Sequence, residues 1–171
     1  MRGEWEIGLL GNITEIKTGK LDSNAATTGG RFPFFTCSPE TLTIDSSAFE
    51  CEAAILAGNN ANGVFSVKYF KGKFNAYQRT YVISSRNEQL LDTKYLYYQL
   101  QQLKDLLGEY SIGTATKFLT RRILDPLPIP LPPLAEQKAI AAVLGALDDK
   151  IELNRRMNAT LEAMARALFQ S

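Results

Sequence analysis

Histidine is absent from this sequence of 171 residues, and cysteine occurs only twice, at Cys37 and Cys51. These residue types supply most protein zinc ligands, and histidine is the commonest general base, so the composition argues against a metal site and against catalysis by histidine. Apolar runs as long as the roughly 20 residues of a membrane span are lacking, as is the apolar core of a signal peptide after Met1. We therefore expect a cytoplasmic protein with two free thiols and no membrane partner.

An excess of charge of either sign is lacking too, since 19 basic residues stand against 18 acidic ones and the net charge is +1. No overall field draws the chain towards DNA or a membrane, and the strongly acidic surface of a DNA-mimicking inhibitor is excluded. Any contact with nucleic acid must come from local groups. The sequence also lacks the Asn-Pro-Pro-aromatic motif of amino-methyltransferases, a glycine-rich cofactor loop and the acidic cluster of a nuclease. We therefore expect no catalytic residue, cofactor or metal in this chain.

A hydrophobic fraction of 45% and a charged fraction of 22% are typical of a chain that folds, and the length accommodates one domain with an appendage. The two parts divide at Asp125–Pro133, where five prolines in nine residues forbid a helix and predict an extended edge segment. The sequence thus predicts an α+β fold, with a mixed α/β domain over residues 1–133 and one long coiled-coil helix over residues 134–171.

The first part contains short apolar runs separated by Gly, Asn and Lys, which predict strands. Lys71-Gly72-Lys73, between two aromatic runs, predicts a hairpin turn. Leucines at alternating intervals of four and three predict a helix from about Thr93 to Leu107, which Gly108 would end. Thr120 is a candidate cap for a short helical turn. The predicted strands cover residues 32–36, 53–57, 65–70 and 81–84.

After Pro133 the sequence is dominated by good helix formers and contains no proline and one glycine up to Phe169, which predicts a single long helix. An apolar seam in strict four-three alternation indicates a coiled coil, in which Asn154 and Asn158 would face a partner helix and fix its register. The alternative is packing on its own domain, but at about 1.5 Å per residue the rod is near 50 Å long, more than such a domain can cover. The predicted seam is Ile140, Leu144, Leu147, Ile151, Asn154, Asn158, Leu161, Ala165 and Leu168.

The run from Leu127 to Ile140, Leu-Pro-Ile-Pro-Leu-Pro-Pro-Leu-Ala-Glu-Gln-Lys-Ala-Ile, followed by Leu147-Asp148 and a long helix, closely resembles the conserved region of the specificity subunits of type I restriction-modification systems. In that family the pattern closes a target-recognition domain and starts a helix. The resemblance covers essentially the whole chain, since Trp5, Leu9–Ile13, Thr18–Lys20 and Gly113-Thr114 are further family-like marks.

The resemblance implies a DNA sequence-specificity subunit without a catalytic site of its own. It implies that a separate modification subunit methylates DNA and brings S-adenosylmethionine, and that a separate restriction subunit cleaves. A complete subunit of the family has two target-recognition domains and two helices packed antiparallel as a spacer, whereas this sequence has one of each. We therefore expect a half-length form, a truncated gene or a fragment, whose helix pairs with a second copy or with a different half-subunit. In a two-fold homodimer the domains would bind inverted half-sites on double-stranded DNA.

Recognition of DNA needs cations for phosphates and amide, hydroxyl or guanidinium groups for base edges. Residues 59–79 and 114–122 are rich in such groups, and the first stretch includes basic residues without intervening acids. For each single residue a solvated surface position is the alternative. The candidates are Lys20, Asn59, Asn60, Lys68, Lys71, Lys73, Gln78, Arg79, Thr114, Thr116, Lys117, Arg121 and Arg122.

Other features favour structural roles. The tyrosines and phenylalanines are assigned to the core rather than to base stacking. Glu136-Gln137 either caps the start of the long helix or contacts a partner subunit. The alternative function is a scaffold that binds the modification subunit without recognising DNA.

Overall fold

The computed structural model describes residues 5–169. The strands are β1 (Glu6–Leu9), β2 (Thr14–Thr18), β3 (Phe32–Phe35), β4 (Leu42–Ile44), β5 (Phe49–Ala57), β6 (Asn59–Asn60), β7 (Val67–Ala76), β8 (Thr80–Ser85), β9 (Lys117–Phe118) and β10 (Pro128–Leu131). The helices are α1 (Leu10–Ile13), α2 (Thr93–Gln102), α3 (Lys104–Tyr110), α4 (Arg121–Leu124) and α5 (Leu134–Phe169). The main sheet has the strand order β2-β8-β5-β7-β3-β4, and β1-β10 and β6-β9 form two small sheets. The predicted mixed α/β domain with a long C-terminal helix is confirmed.

The main sheet is strongly curved. Leu21, shortly after β2, pairs in parallel with Tyr77, just after β7, although three places separate β2 and β7 in the strand order. Gly19 lies so close to Ala76 that a Cβ atom would stand 1.7 Å from the Ala76 carbonyl oxygen. The ends of β2 and β7 therefore meet, and the sheet closes on itself at this corner.

The side chains of β5 alternate between two cores, as the two-residue period of a strand requires. Ala54 and Leu56 belong to the larger core, which also contains buried residues of α2. Ala53 and Ile55 belong to a smaller core with Phe74 on the other face of the sheet. Because both faces of β5 are covered along its second half, residues 53–57 form an unbroken apolar run in the sequence.

The predicted strands are confirmed as β3, β5, β7 and β8, but the predicted turn at Lys71-Gly72-Lys73 is wrong. These residues lie in the middle of β7, where Gly72 is opposite Cys51 of β5. Gly72 has a φ of +140°, a backbone conformation that glycine adopts without steric cost. Cross-strand pairing has therefore overridden a local turn pattern.

The predicted helix over residues 93–107 is two helices, separated at Leu103, and Gly108 does not end the second one. The chain remains helical through Gly108 to Tyr110. Gly108 lies close to the loop at Gly63, because an added Cβ atom would stand 2.9 Å from the Gly63 carbonyl oxygen. The glycine therefore allows a close approach between two segments rather than marking a helix end.

The segment around the prolines is extended, as predicted, and pairs antiparallel with β1 as β10. Ile129 and Leu131 of this strand are buried in the larger core. A helical turn also follows Thr120, as α4, but the Thr120 side chain makes no capping hydrogen bond.

The predicted long helix is confirmed over Leu134–Phe169 as α5, which has 36 residues and a length of about 54 Å, and residues 170 and 171 of the prediction lie outside the described residues. Its first turns pack on α2, and Gln137, Ala141 and Gly145 are buried there. From Ala146 to Phe169 every side chain is exposed. No helix formed by residues 5–169 combines the length and the apolar character needed to cross a bilayer.

Candidate nucleic-acid interface

Eight of the thirteen predicted DNA-binding residues come together at one corner of the domain. This corner is formed where β2 ends, β8 begins and β5 continues into β6, which pairs with β9. We call it the polar patch. Its residues are Lys20, Asn59, Asn60, Gln78, Arg79, Thr114, Thr116, Lys117 and Phe118.

The pairing of β6 with β9 joins two distant parts of the sequence. Asn59 is opposite Phe118 and Asn60 is opposite Lys117 in this short ladder. The Asn60 Oδ1 atom accepts a hydrogen bond from the Asn62 N–H at 2.7 Å, which shapes the following loop. The Asn59 Oδ1 atom is buried and makes no hydrogen bond to any described residue. An unsatisfied buried acceptor of this kind costs about 1–3 kcal/mol.

Arg79 has a fixed backbone and an aromatic neighbour. Its carbonyl oxygen accepts hydrogen bonds from the Gly58 N–H at 2.8 Å and from the Cys37 Sγ–H at 3.4 Å. Its guanidinium carbon lies 5.3 Å from the centroid of the Phe118 ring, within the range of a cation–π interaction. The guanidinium is therefore oriented while most of its five N–H donors remain available to a ligand.

A depression of about 140 Å³ lies beside Arg79. Its floor includes Tyr81, whose hydroxyl donates to the Leu119 carbonyl oxygen at 3.0 Å. Burial raises the pKa of Tyr81, so this phenol stays neutral and structural. Among the described residues, those lining the depression are Thr18, Gly58, Gln78, Arg79, Tyr81, Phe118 and Leu119, and none is acidic.

A turn carries the threonines of the patch. Ile112 pairs with Phe118, and the backbone between them reverses at Gly113, which has a φ of +112°. A side chain at this glycine would collide with the Thr116 carbonyl oxygen at 2.1 Å. Glycine is therefore required for the turn that presents Thr114 beside Lys117.

Lys20 joins the patch through the closed corner of the sheet. The carbonyl oxygen of Leu21 accepts a hydrogen bond from the Gln78 N–H at 2.9 Å, which holds Leu21 against the Gln78-Arg79 loop. Lys20 precedes Leu21 in the sequence and is exposed.

Lys68, Lys71 and Lys73 lie outside the polar patch, and their charges are engaged locally. The Lys68 ammonium donates to the carbonyl oxygens of Ser38 at 3.1 Å and Glu40 at 2.9 Å, and burial lowers the pKa of Lys68. No acidic residue separates these lysines in the sequence, but acidic residues lie opposite two of them in the sheet. β5 brings Glu52 within 3.0 Å of Lys71 and Glu50 within 3.7 Å of Lys73.

The two arginines of α4 are near the patch but differ from each other. Arg121 donates to the Asp125 carboxylate at 2.7 Å and to the Ile16 carbonyl oxygen at 3.1 Å, so it ties α4 to β2. Arg122 is exposed on the same short helix. Of the two, Arg122 is the one whose charge is presented to solvent.

Phe118 is the site residue that sequence reasoning missed. It follows Lys117 directly, but nothing in the sequence connects it with Arg79, which lies 39 positions earlier. Their contact depends on the β6-β9 ladder, whose strands have only two residues each. Strands this short carry no detectable hydrophobic period.

The predicted seam of α5 divides into two parts. Ile140 and Leu144 are half-buried against the larger core of their own domain. The other seven positions, Leu147, Ile151, Asn154, Asn158, Leu161, Ala165 and Leu168, are exposed. Other large apolar side chains beside the seam are also exposed, at Val143, Leu153, Met157 and Met164.

Comparisons with known proteins agree with this architecture. Residues 2–163 match the family model described as the type I restriction modification DNA specificity domain. The chain is 39% identical over 149 residues to the type I restriction enzyme EcoDI specificity subunit of Escherichia coli, a match that covers 87% of this chain and 32% of that protein. The chain therefore spans about a third of the length of this curated relative.

Two solved structures have a similar fold. The S subunit of a type I restriction-modification system from M. genitalium superposes with a TM-score of 0.76 at 20% identity, over 89% of this chain and 41% of that one. The HsdS subunit from Thermoanaerobacter tengcongensis superposes with a TM-score of 0.63 at 21% identity, over 91% of this chain and 40% of that one.

Proposed function

Because this chain belongs to the type I restriction-modification DNA specificity family, we propose that it recognises one half of a bipartite DNA site through the polar patch. The observation that carries the proposal is the convergence at one corner of Arg79, Gln78 and the Asn59-Asn60 ladder. These are the side chains that recognise guanine and adenine edges in the major groove. The Asn59 Oδ1 atom has no hydrogen-bond partner among the described residues, and Gln78 and Arg79 line the depression of about 140 Å³.

The charges of the patch suit a DNA backbone. Lys20, Arg79 and Lys117 supply three cations, and none of the described residues that line the depression beside Arg79 is acidic. At a net charge of +1 the whole chain is not attracted to DNA, so the local concentration of cations supplies the electrostatic term. Arg122 extends the positive surface on the side of α4.

The rest of the proposal concerns assembly. We propose that the chain has no catalytic site and docks a modification subunit, which binds S-adenosylmethionine, and through that complex a restriction subunit. Exposed apolar side chains along α5 support a helical partner, and we propose that this partner is a second copy, so that the homodimer places two domains on inverted half-sites. A cytoplasmic location, where DNA and reduced thiols coexist, belongs to the same proposal.

A scaffold that binds the modification subunit without recognising DNA is the second candidate. One observation favours it, an exposed apolar row at Trp5, Ile7 and Leu9 on and beside β1. Such a row is typical of a protein-binding surface and is independent of the polar patch.

Selection from a pool of random DNA duplexes tests the first candidate against the second. The full chain, alone and with its modification subunit, is incubated with the pool, and bound DNA is sequenced. Enrichment of a bipartite inverted repeat supports DNA recognition, and the Arg79→Ala variant should lose that enrichment. A chain that captures the modification subunit but enriches no sequence in either form would support the scaffold instead.

A further inference from the structure

The exposed face of α5 is more apolar than the predicted seam describes. Nine large apolar side chains between Val143 and Phe169 are exposed, with exposed fractions from 48% to 92%. They include Leu153, Met157 and Met164, which the predicted seam omits. The domain contacts the first part of α5 as far as Asp148, whose carboxylate accepts a hydrogen bond from the Tyr98 hydroxyl at 2.8 Å. The exposed apolar side chains beyond it are typical of a face that packs on a second helix.

A different heptad register accounts for these exposed residues. In it the a positions are Ile140, Leu147, Asn154 and Leu161, and the d positions are Val143, Lys150, Met157 and Met164. Ile151 and Leu153 then take the flanking e and g positions. Between Lys138 and Arg166 every charged residue except Lys150 falls at b, c or f, the positions that face solvent in a coiled coil. In the seam predicted from the sequence, Leu147 and Asn154 are d positions. That seam puts Asp148, Arg155 and Glu162 at the flanking e positions and Leu153 at the solvent-facing c position.

The direction of the partner helix follows from Lys150 and Asn154. In a parallel pair, d faces d, so two Lys150 ammonium groups would repel each other inside the interface, and both domains would crowd the same end. In an antiparallel pair, a faces d, and one register places Lys150 opposite Asn154 of the second copy, whose amide oxygen can accept its hydrogen bond.

The same register matches every other layer. It sets Leu147 opposite Met157, Ile140 opposite Met164, and Val143 opposite Leu161 of the second copy. Antiparallel registers displaced by one heptad set Lys150 opposite Leu161 or Leu147, and so bury a charge against an apolar side chain. We propose that a second copy of this chain packs antiparallel along this face, with Lys150 of each copy opposite Asn154 of the other. This proposal rests on the homodimer of the proposed function and specifies its interface.

The register fixes the distance between the two domains. The two-fold axis passes beside Glu152, and Ile151 and Leu153 each meet their counterpart across it. Ala141, the centre of the contact between α5 and its domain, lies about 16 Å from the axis, so the two domains are anchored about 33 Å apart. One turn of B-DNA is about 34 to 36 Å, so both domains reach the same face of a duplex. A register that set Asn154 opposite Asn158 would instead separate the anchors by about 45 Å.

Site-directed cross-linking tests the register. The Leu153→Cys and Met157→Cys variants of the full chain are treated with a short bis-maleimide, and the unsubstituted chain, with Cys37 and Cys51 in the domain, is the control. Because Leu153 lies at the axis and Met157 lies about 15 Å from its counterpart, Leu153→Cys should give at least ten times more cross-linked dimer. Light scattering on each sample gives the mass before cross-linking.

Each outcome distinguishes the register from the homodimer itself. Strong cross-linking at position 153 with little at 157 supports the proposed interface. A dimer that cross-links better at position 157 overturns it, because both a parallel pair and the register with Asn154 opposite Asn158 bring Met157 to its counterpart. A dimer that cross-links at neither position also overturns the register while the homodimer stands. A monomeric mass overturns both.

Discussion

The side-chain carbonyl oxygen of Gln137 accepts a hydrogen bond from the backbone N–H of Asp92 at 2.9 Å. The amide group of the same side chain donates to the carbonyl oxygens of Leu90 at 2.8 Å and Pro132 at 2.9 Å. Gln137 is fully buried near the start of α5, so one amide joins the long helix to the segment before α2 and to the proline-rich strand. Gln137 takes neither of the two roles expected for Glu136-Gln137, because its side chain bonds to backbone groups outside α5 instead of capping the helix, and because it is fully buried within its own domain.

We predict that Gln137→Leu lowers the free energy of unfolding by about 2–4 kcal/mol, because the Asp92 N–H and two carbonyl groups lose their partner in a buried place. Urea unfolding at a fixed protein concentration measures the change. Lys138→Leu, at the exposed neighbouring position, is the matched control and should stay within about 0.5 kcal/mol. Equal stability of Gln137→Leu and the native chain would contradict the supporting role.

Two glycines, in different surroundings, should respond differently to alanine. At Gly19 a Cβ atom would stand 1.7 Å from the Ala76 carbonyl oxygen, and the backbone there cannot move without opening the closed corner of the sheet. At Gly145 the nearest atom, at 2.7 Å, is the Lys94 Nζ atom, the far end of a flexible side chain. We predict that Gly19→Ala destabilises by about 3 kcal/mol or more, whereas Gly145→Ala stays within about 1 kcal/mol because alanine also favours a helix.

Thermal unfolding of both variants compares the two sites. Similar decreases in stability for Gly19→Ala and Gly145→Ala would mean that the short distance to the neighbouring atom alone, and not the mobility of that atom, sets the loss of stability. Because Gly19 adjoins Lys20, the Gly19→Ala variant should also lose DNA affinity, whereas Gly145→Ala should retain it.

Glu52 should make stability depend on acidic pH. Burial acts to raise the pKa of Glu52, but the hydrogen bonds from Tyr69, at 2.7 Å, and from Lys71 outweigh it and hold the pKa below its ordinary value. Because the pKa is lower in the folded chain, the stabilisation is present above the unfolded pKa of about 4.3 and is lost as the pH falls through the folded pKa. We predict that Glu52→Gln is less stable than the native chain at pH 7, by about 1 kcal/mol or less since Lys71 is exposed, and that the difference narrows below pH 4.

Unfolding in urea at a series of pH values measures this difference. Glu50→Gln is the control, because Glu50 is exposed and makes a longer contact with Lys73. If the difference in the free energy of unfolding between Glu52→Gln and the native chain stayed constant from pH 7 to pH 3, it would contradict the lowered pKa of Glu52 as the cause.

Within the proposed DNA-recognition function, Arg79 should matter far more than the lysines of β7. We predict that Arg79→Ala weakens binding to the selected duplex by at least tenfold, because a bidentate contact with a base is worth about 1–3 kcal/mol. The double variant Lys71→Ala and Lys73→Ala should change affinity less than threefold, since Glu52 and Glu50 already neutralise both side chains. Fluorescence anisotropy over a range of salt concentrations gives the affinity and the number of phosphate contacts. If the double lysine variant lost more DNA affinity than Arg79→Ala, the DNA interface would lie on β7 and not at the polar patch.

The sequence predicted the elements whose period is long enough to detect. The 36 residues of α5 and the apolar run of β5 have clear patterns, and the strand at Pro128–Leu131 follows from the chemistry of proline. The turn expected at Lys71-Gly72-Lys73 did not form, because cross-strand pairing of ten residues in β7 outweighs a three-residue preference.

The candidate site was predicted only in part, because contact between distant residues decides which candidates converge. Arg79 and Lys71 look alike in the sequence, yet Arg79 lies on Phe118 while Lys71 pairs with Glu52 across the sheet. The long helix has a similar limit. Its heptad spacing admits two seams that share Ile140, Leu147, Asn154 and Leu161. The exposure of Leu153, Met157 and Met164 and the placement of the charged residues distinguish them.

The polar layer of the proposed dimer can be removed without emptying the interface. Replacing both Lys150 and Asn154 with leucine gives an apolar layer in either direction, so the helices should associate more tightly but with less control over orientation. We predict a dissociation constant at least tenfold lower, about 1.4 kcal/mol, measured by sedimentation equilibrium. In the same background Leu153→Cys should cross-link less completely, because parallel and displaced antiparallel pairs become accessible.

The single variant Lys150→Leu is the matched control and should dimerise less tightly than the double variant, since it leaves Asn154 opposite an apolar side chain. Undiminished cross-linking at position 153 in the double variant would mean that apolar packing alone sets the register and that Lys150 and Asn154 do not.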